Sequence, residues 1–281
     1  YYLFANGFNT SLHNLPAFNF PNFRYVITKY PNKLLNILLL IFKRPHLDQL
    51  IAHRLGLEKL DVFYSPNPNF SSVSPGVKHI LFMHDITFAL YPYYFTLRQR
   101  LWHRWLSPER LLKRADLLLT PSLNTKTDIT RHYMILAEKI IVIRPGVSPT
   151  IDQFTKLLPA EQAARVSAVK KKYHLPERFA LFLGTIEPRK NLPALIEAFG
   201  AALPKLPADF KLIIAGAPGW KNRAIYRLAA RSAAREAIQF LGYVRASDRP
   251  ALIRAAEIFC FPSFYEGFGF PVLEAMKLGT P

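Results

Sequence analysis

Glu266 and Glu274 stand on either side of Gly-Phe-Gly-Phe-Pro-Val-Leu, just after the strand-like run Glu257-Ile-Phe-Cys-Phe-Pro. Gly267 and Gly269 let the backbone approach a ligand closely. Pro271 suits the first position of a helix, and Gly279 suits the residue just past its end. The segment predicts strand, glycine loop, helix, with one carboxylate in the loop and one in the first turns of the helix. A helix N-terminus offers free N–H groups and a partial positive charge, which favour a phosphate. Two carboxylates beside a phosphate suit the hydroxyls of a sugar and a ribose. Each also has a plainer reading, Glu274 as a partner of the helix dipole and Glu266 as a surface loop acid.

The elements that must position them alternate in type. Val62–Ser65, Ile80–Met83, Ala115–Thr120 and Ile140–Ile143 are short, β-favouring runs, several ended by proline. Residues 98–114 read as one helix, and Ser122 is placed to cap another. The rhythm restarts with strands at Phe179–Leu183, Phe210–Ala215, Ile238–Leu241 and Ile258–Phe261. Helices are expected near 192–203, 223–235, 249–256 and 271–278. Between the two halves, prolines at 149, 159 and 176 bracket a basic helical stretch. The fold class is therefore α/β, with a partial domain over 1–147, a linker over 148–176 and a partial second domain over 177–281. Parallel sheets of this kind bind ligands outside the carboxyl ends of their strands.

Several further residues fall at those ends. Gly184 and Thr185 follow the first strand of the second half, and Arg189 and Lys190 precede a helix beginning near Asn191. By composition alone the two cations read as a solvated basic loop. Gly216 follows Leu212-Ile-Ile-Ala, and Tyr243-Val244 follow Leu241-Gly242; these are candidates for a base and ribose pocket, or turn residues. Backbone amides at Phe268, Gly269 and Phe270 would complete a cradle. His84-Asp85 closes a strand in the first half, where a lone histidine is more often structural. The sequence contains no Asp-x-Asp, so no metal ligands are assigned, and basic side chains with helix dipoles must carry any diphosphate charge.

Composition narrows the partners. A formal net charge of +18, spread as +10 over residues 1–150 and +8 over 151–281, favours anionic ligands or surfaces rather than marking a detachable tail. Zinc-finger spacing and RNA-recognition signatures are absent, so no nucleic acid is expected. The apolar run Leu34–Phe42, rimmed by Lys33, Lys43 and Arg44, is too short to span a bilayer. It reads as a core helix of the first domain or as an interfacial helix on an anionic membrane. The single cysteine, Cys260, suits a buried packing role in a reducing compartment. A cytoplasmic location follows, with peripheral contact at the inner face of the membrane an option.

Glu266 to Glu274 resembles the paired-glutamate motif of the retaining glycosyltransferases of family 4, which have the GT-B fold. Further matches occur in the family's order. They are Phe82-Met-His-Asp-Ile-Thr-Phe, Ala115-Asp-Leu-Leu-Leu-Thr-Pro-Ser, Ile141-Val-Ile-Arg-Pro-Gly-Val, Phe182-Leu-Gly-Thr-Ile-Glu-Pro-Arg-Lys-Asn and Leu212-Ile-Ile-Ala-Gly. Together they cover roughly residues 60 to 281. The pattern is most similar to bacterial enzymes, often mannosyltransferases, that build surface polysaccharides. The resemblance implies two Rossmann-like domains facing across a cleft, both incomplete in this chain. The opening strand and glycine-rich loop of the family are not matched, nor are its closing elements, so a fragment is expected.

The resemblance also implies roles. Arg189 and Lys190 would hold the diphosphate of a nucleotide-sugar donor. Glu274 would accept from ribose hydroxyls, Glu266 would contact the transferred sugar and His84 would contact the donor sugar. Asp85 would orient that ring or meet the acceptor. The implied reaction is metal-independent hexosyl transfer, of mannose or a relative, to a saccharide or lipid-linked acceptor. It would proceed with retention and use no cofactor beyond the donor substrate. Two other readings stand beside it. One is a sugar phosphorylase of similar fold, whose Schiff-base lysine the sequence does not reveal. The other is a basic module binding nucleic acid or anionic lipid.

Overall fold

A computed structural model describes residues 1–7 and 21–281. The chain opens with β1 (Tyr2–Asn6), β2 (Arg24–Thr28), α1 (Asn32–Ile41), α2 (Leu47–Leu55), β3 (Val62–Ser65) and β4 (Lys78–Phe82). It continues through α3 (Thr87–Leu90), α4 (Leu97–Leu106), α5 (Pro108–Arg114), β5 (Leu117–Thr120), α6 (Leu123–Tyr133) and β6 (Ile140–Val142). Next come α7 (Pro149–Thr155), α8 (Pro159–Lys172), β7 (Phe179–Leu183), α9 (Leu192–Ala202) and β8 (Lys211–Ala215). The last elements are α10 (Arg223–Arg231), β9 (Ile238–Gly242), α11 (Arg249–Ala255), β10 (Ile258–Phe259) and α12 (Phe270–Leu278).

The chain divides into two compact units, one of residues 1–86 and 101–143, the other of residues 87–100 and 144–281. In the first, β3-β4-β5-β6 form a parallel sheet in sequence order, and β1 and β2 pair in parallel beside each other as a separate ribbon. The sequence reading placed no strand before Val62. Both missed strands are five residues long; β1 has no buried residue and β2 buries only Val26 and Thr28, so neither is the continuous buried run that marks a central parallel strand. The Ser122 hydroxyl accepts from Thr125 N–H at 3.1 Å, the cap expected for α6.

The single helix expected over 98–114 is two helices. Ser107 sits at φ 49°, left-handed, between α4 and α5. The ring of Pro108 disfavours helical geometry at the residue before it, so the turn ends at Ser107 and restarts at Pro108.

In the second unit the strand order is β10-β7-β8-β9, all parallel. β7 is buried along its whole length, and its residues alternate between two cores. Phe179, Leu181 and Leu183 join Ile213 and Ala215 on one face, packed with residues of α7, α8, α11 and α12. Ala180 and Phe182 join Leu212 and Ile214 on the other, under α9 and α10. This period of two, buried on both sides, is why the strands read as unbroken apolar runs. The stretch 148–176 contributes Ile151, Phe154 and Val169 to the first of these cores. Cys260 packs beside the other core, and burial pushes its thiol pKa up.

Candidate functional site

The order β10-β7-β8-β9 places consecutive strands β7, β8 and β9 in one direction, and then sends β10 to the far side of β7. The chain therefore reverses its winding between β7 and β10. Loops leaving two such strands part to opposite faces and leave a crevice at the carboxyl ends, the usual ligand position of an open α/β sheet. The loop after β7 carries Arg189 and Lys190; the loop after β10 carries Glu266.

The side chains meet there. Lys190 Nζ lies 2.6 Å from Glu266 Oε1, and Arg189 Nη1 lies 2.7 Å from Glu266 Oε2. Arg189 also donates from Nη1 to the Tyr265 carbonyl at 2.8 Å and from Nε to Glu187 Oε1 at 3.1 Å. Its Nη2 is 2.9 Å from the same Glu187 oxygen. Lys190 further sits 5.4 Å from the centre of the Phe261 ring. Two cations are thus clasped between two carboxylates. Burial disfavours the charged form of Glu266, but Lys190 and Arg189 together outweigh it and hold its carboxyl below the usual range. At Glu187 burial wins over the same two cations and, with Glu266 adding repulsion, pushes the carboxyl up.

Glu187 is the residue that sequence reasoning missed. It is 2 % exposed and fixes the guanidinium from behind, while the motif drew attention only to the cations that follow it. An acid two residues before an arginine gives no signal by itself; its burial is what makes it informative.

Backbone fit holds the loops in place. Asn191, at φ 54°, turns the chain from the short 3-10 turn Pro188–Lys190 into α9. A Cβ at Gly216 would lie 1.8 Å from the Gly184 carbonyl oxygen, so the ends of β7 and β8 touch backbone to backbone. Gly184 N–H donates to Ala215 at 2.9 Å and Gly216 N–H to Gly242 at 2.7 Å, which continues the ladder past the strands. Gly269, at φ 95°, precedes α12 in a conformation that costs any side chain.

Glu274 lies on α12, 6 % exposed, and its carboxylate has no hydrogen-bond or ion-pair partner among the described residues. Pro271 takes the second helical position rather than the first, and Gly279 closes the helix at φ 70°. Gly267 is buried, and the Phe268 and Phe270 rings meet edge to face at 5.3 Å. Thr185 is exposed beside Gly184, and Tyr243 is 71 % exposed after β9. Val244 is 3 % exposed within the core under α11, which leaves its backbone rather than its side chain to face a ligand.

His84 belongs to the first unit, at the end of β4. Its ring is exposed, packs on Phe82 at 4.6 Å, and its Nε2 lies 3.1 Å from the Pro66 carbonyl. Asp85 acts on a different imidazole: burial lowers the His103 pKa, and the charge of Asp85 opposes that shift. A cavity of about 240 Å³ lined by Lys78, His79, Arg114 and Asp116 sits at the amino ends of β4 and β5, the end opposite the one where such sheets bind ligands. Among the described residues no helix is long and apolar enough to cross a membrane.

Known proteins share this fold. A family model described as "Glycosyltransferase Family 4" matches residues 2–150, and one described as "Glycosyl transferases group 1" matches residues 167–281. O-antigen chain mannosyltransferase B of Escherichia coli is 34% identical over 215 residues, covering 76% of this chain and 54% of that protein. The serotype-specific mannosyltransferase WbdA of Escherichia coli is 31% identical over 60% of this chain and 20% of its own length. The chain thus spans about half, or less, of the length of these relatives. Among solved structures, Anabaena HepE with UDP-glucose superposes with a TM-score of 0.63 at 21% identity, over 92% of this chain and 66% of that one. The sucrose-phosphate synthase of Thermosynechococcus elongatus gives 0.67 at 18% identity, over 100% and 69%. The fold is that of the GT-B glycosyltransferases, and with the family 4 model covering more than half of its length the chain belongs to glycosyltransferase family 4.

Proposed function

We propose that this chain handles the donor in a glycosyltransferase that moves a hexosyl group from a nucleotide diphosphate to a saccharide or lipid-linked acceptor. Mannose is the hexose favoured by the relatives named above. The observation that carries the reading is the convergence of Arg189 and Lys190 on Glu266 at the reversal of the second sheet.

No protein group among the described residues engages the Glu274 carboxylate, so it is open to accept charge-assisted hydrogen bonds from a ligand. Two ribose hydroxyls would supply them. A pyrophosphate competes with Glu266 for the N–H groups of Arg189 and Lys190, while Glu187 keeps the guanidinium aimed. Displaced from the cations, Glu266 turns its oxygens to the hydroxyls of the sugar. Charge builds on the diphosphate as the bond from the anomeric carbon to phosphate oxygen breaks, and fixed cations in a half-buried site stabilise it without reorganising. The acceptor oxygen bonds to the anomeric carbon from the same face, and its proton passes to the departing phosphate. The stereochemistry is retention, and neither a metal ion nor an organic cofactor takes part.

The same reading takes a cytoplasmic location, with peripheral contact at the inner face of the membrane as an option. α1 supports that placement: Leu34, Ile37, Ile41 and Phe42 are exposed beside Lys33, Lys43 and Arg44, while Leu35 and Leu39 anchor the helix in its unit.

Thermal melting in the presence of UDP, GDP and their hexose conjugates tests the reading. One nucleotide series is expected to raise the melting temperature in proportion to the logarithm of its concentration. No response to any nucleotide would refute donor binding, and an inverted anomer in the product by NMR would refute retention.

A further inference from the structure

Residues 91–95 lie far from the glutamate pair in sequence, yet they belong to the same compact unit. Two side chains of the loop after β8 hold them by their carbonyls. Trp220 Nε1 donates to Tyr94 O at 2.8 Å and Lys221 Nζ to Tyr93 O at 2.6 Å, with the Trp220 ring stacked on Phe95 at 5.7 Å. The rings then form a tier. Tyr93 and Tyr94 are 4.5 Å apart, Tyr94 stacks on Phe264 at 5.8 Å and 17°, and Tyr91 meets Tyr265 at 5.4 Å. Burial, followed by a hydrogen bond with the Tyr93 hydroxyl, pushes the Tyr94 pKa up to about 12, so that hydroxyl stays neutral.

This tier is bonded to the charged centre itself. Phe264 N–H donates to the Arg189 carbonyl at 3.0 Å, and the Tyr265 carbonyl accepts from Arg189 Nη1 at 2.8 Å. The next residue is Glu266. Even so, Tyr93 is 60% exposed and Phe264 is 56% exposed. Exposed aromatic rings that are braced by neighbours and continuous with a polar site mark a place where a ligand completes the surface.

We propose that Tyr93 and Phe264 form a saccharide subsite, on which a pyranose ring of the acceptor lies flat beside Glu266. The proposal rests on the donor reading given above. The chemistry is specific to sugars. A pyranose presents axial C–H groups with slight positive charge, which suit the negative face of an aromatic ring, and its rim hydroxyls suit the tyrosine hydroxyls. Braced tyrosines lose little side-chain freedom on binding. The Lys221 amine at the edge is already engaged with a carbonyl, so the tier offers a neutral platform beside a charged centre.

Calorimetric titration with a linear α-linked mannotetraose, run in parallel with UDP and GDP, tests it. The tetraose is expected to bind, and Tyr93→Ala and Phe264→Ala should each weaken it by about tenfold or more. Tyr93→Phe and Phe264→Tyr should bind within about threefold of the parent, and nucleotide affinity should be unmoved in all four. Absence of tetraose binding, or binding indifferent to both alanine variants, overturns the subsite while intact nucleotide binding leaves the donor reading standing. Loss of nucleotide binding in the parent protein would instead remove the donor reading. If sedimentation shows that the alanine variants break up a self-associated form without any saccharide effect, the tier is a contact between copies and the proposal fails.

Discussion

The two four-stranded sheets treat charge at their carboxyl ends in opposite ways. In the second unit Glu187–Arg189, Arg189–Glu266 and Glu266–Lys190 form a chain of contacts of 3.1 Å or less, and none of the four is more than about one-fifth exposed by side chain. In the first unit His84 is exposed, and the one side-chain hydrogen bond described for it goes to a backbone carbonyl. The strand orders explain the contrast. β10-β7-β8-β9 reverses direction and brings two loops together at one crevice, whereas β3-β4-β5-β6 runs in sequence order. Charges that meet in a crevice must satisfy each other before a ligand arrives, because a buried unpaired charge is expensive. A group left in solvent carries no such obligation. The charged cluster of the second unit is organised in advance; the His84 ring is not.

The contrast can be broken most directly at Arg189. Arg189→Ala should lower kcat by about 10²–10³-fold and raise KM for the donor, as expected when a fixed cation facing a leaving diphosphate is removed. Steady-state kinetics with unchanged constants would refute the assignment. Glu274→Gln should come next. Replacing a carboxylate that accepts two hydroxyls costs about 1.5–3 kcal/mol of donor affinity. A deoxyribose nucleotide should then discriminate poorly between the two proteins, and preserved discrimination would move the ribose elsewhere.

A smaller effect sharpens the electrostatic half of the comparison. The Glu266 carboxyl is held below its unfolded value of 4.5, so its contribution to stability is present above that pH and is lost as pH falls through the folded value. The Glu187 carboxyl is raised above 4.5, so its contribution has the opposite sign and declines as pH rises from 4.5 toward the folded value. Glu266→Gln should therefore flatten the acid limb of melting temperature against pH, and an unchanged limb would show that the ion pairs contribute nothing net. The smallest expected change is in the first unit. His84→Ala should alter stability by no more than about 0.5 kcal/mol, since one carbonyl contact is lost at an exposed position. A larger loss in denaturant unfolding would mean that His84 is built into the fold of its unit after all.

Much of this was legible in advance. Phe179–Leu183, buried throughout, is a continuous apolar run and falls where the sequence placed it, to the residue; the half-exposed Val62–Ser65 does too, on its β-favouring residue types. The glycine loop before α12 and its C-cap at Gly279 were equally plain, since few residues other than glycine tolerate those angles. Four things were hidden. β1 and β2 are short and at most partly buried, and the break at Ser107 depends on a proline's effect on its predecessor. The aromatic tier joins residues 91–95 to 264–265, a pairing across more than half the chain that no local pattern encodes. Glu187 belonged to a motif that was noticed, but its importance comes from burial, which spacing does not report.

The touching backbones of Gly184 and Gly216 have a final consequence for how such a protein could change its taste in substrates. A side chain at Gly216 would collide with the Gly184 carbonyl, so that position offers no route to a new preference. Thr185 and Tyr243 stand in solvent and make none of the contacts among Glu187, Arg189, Lys190 and Glu266, so they can be exchanged at little cost to those charges.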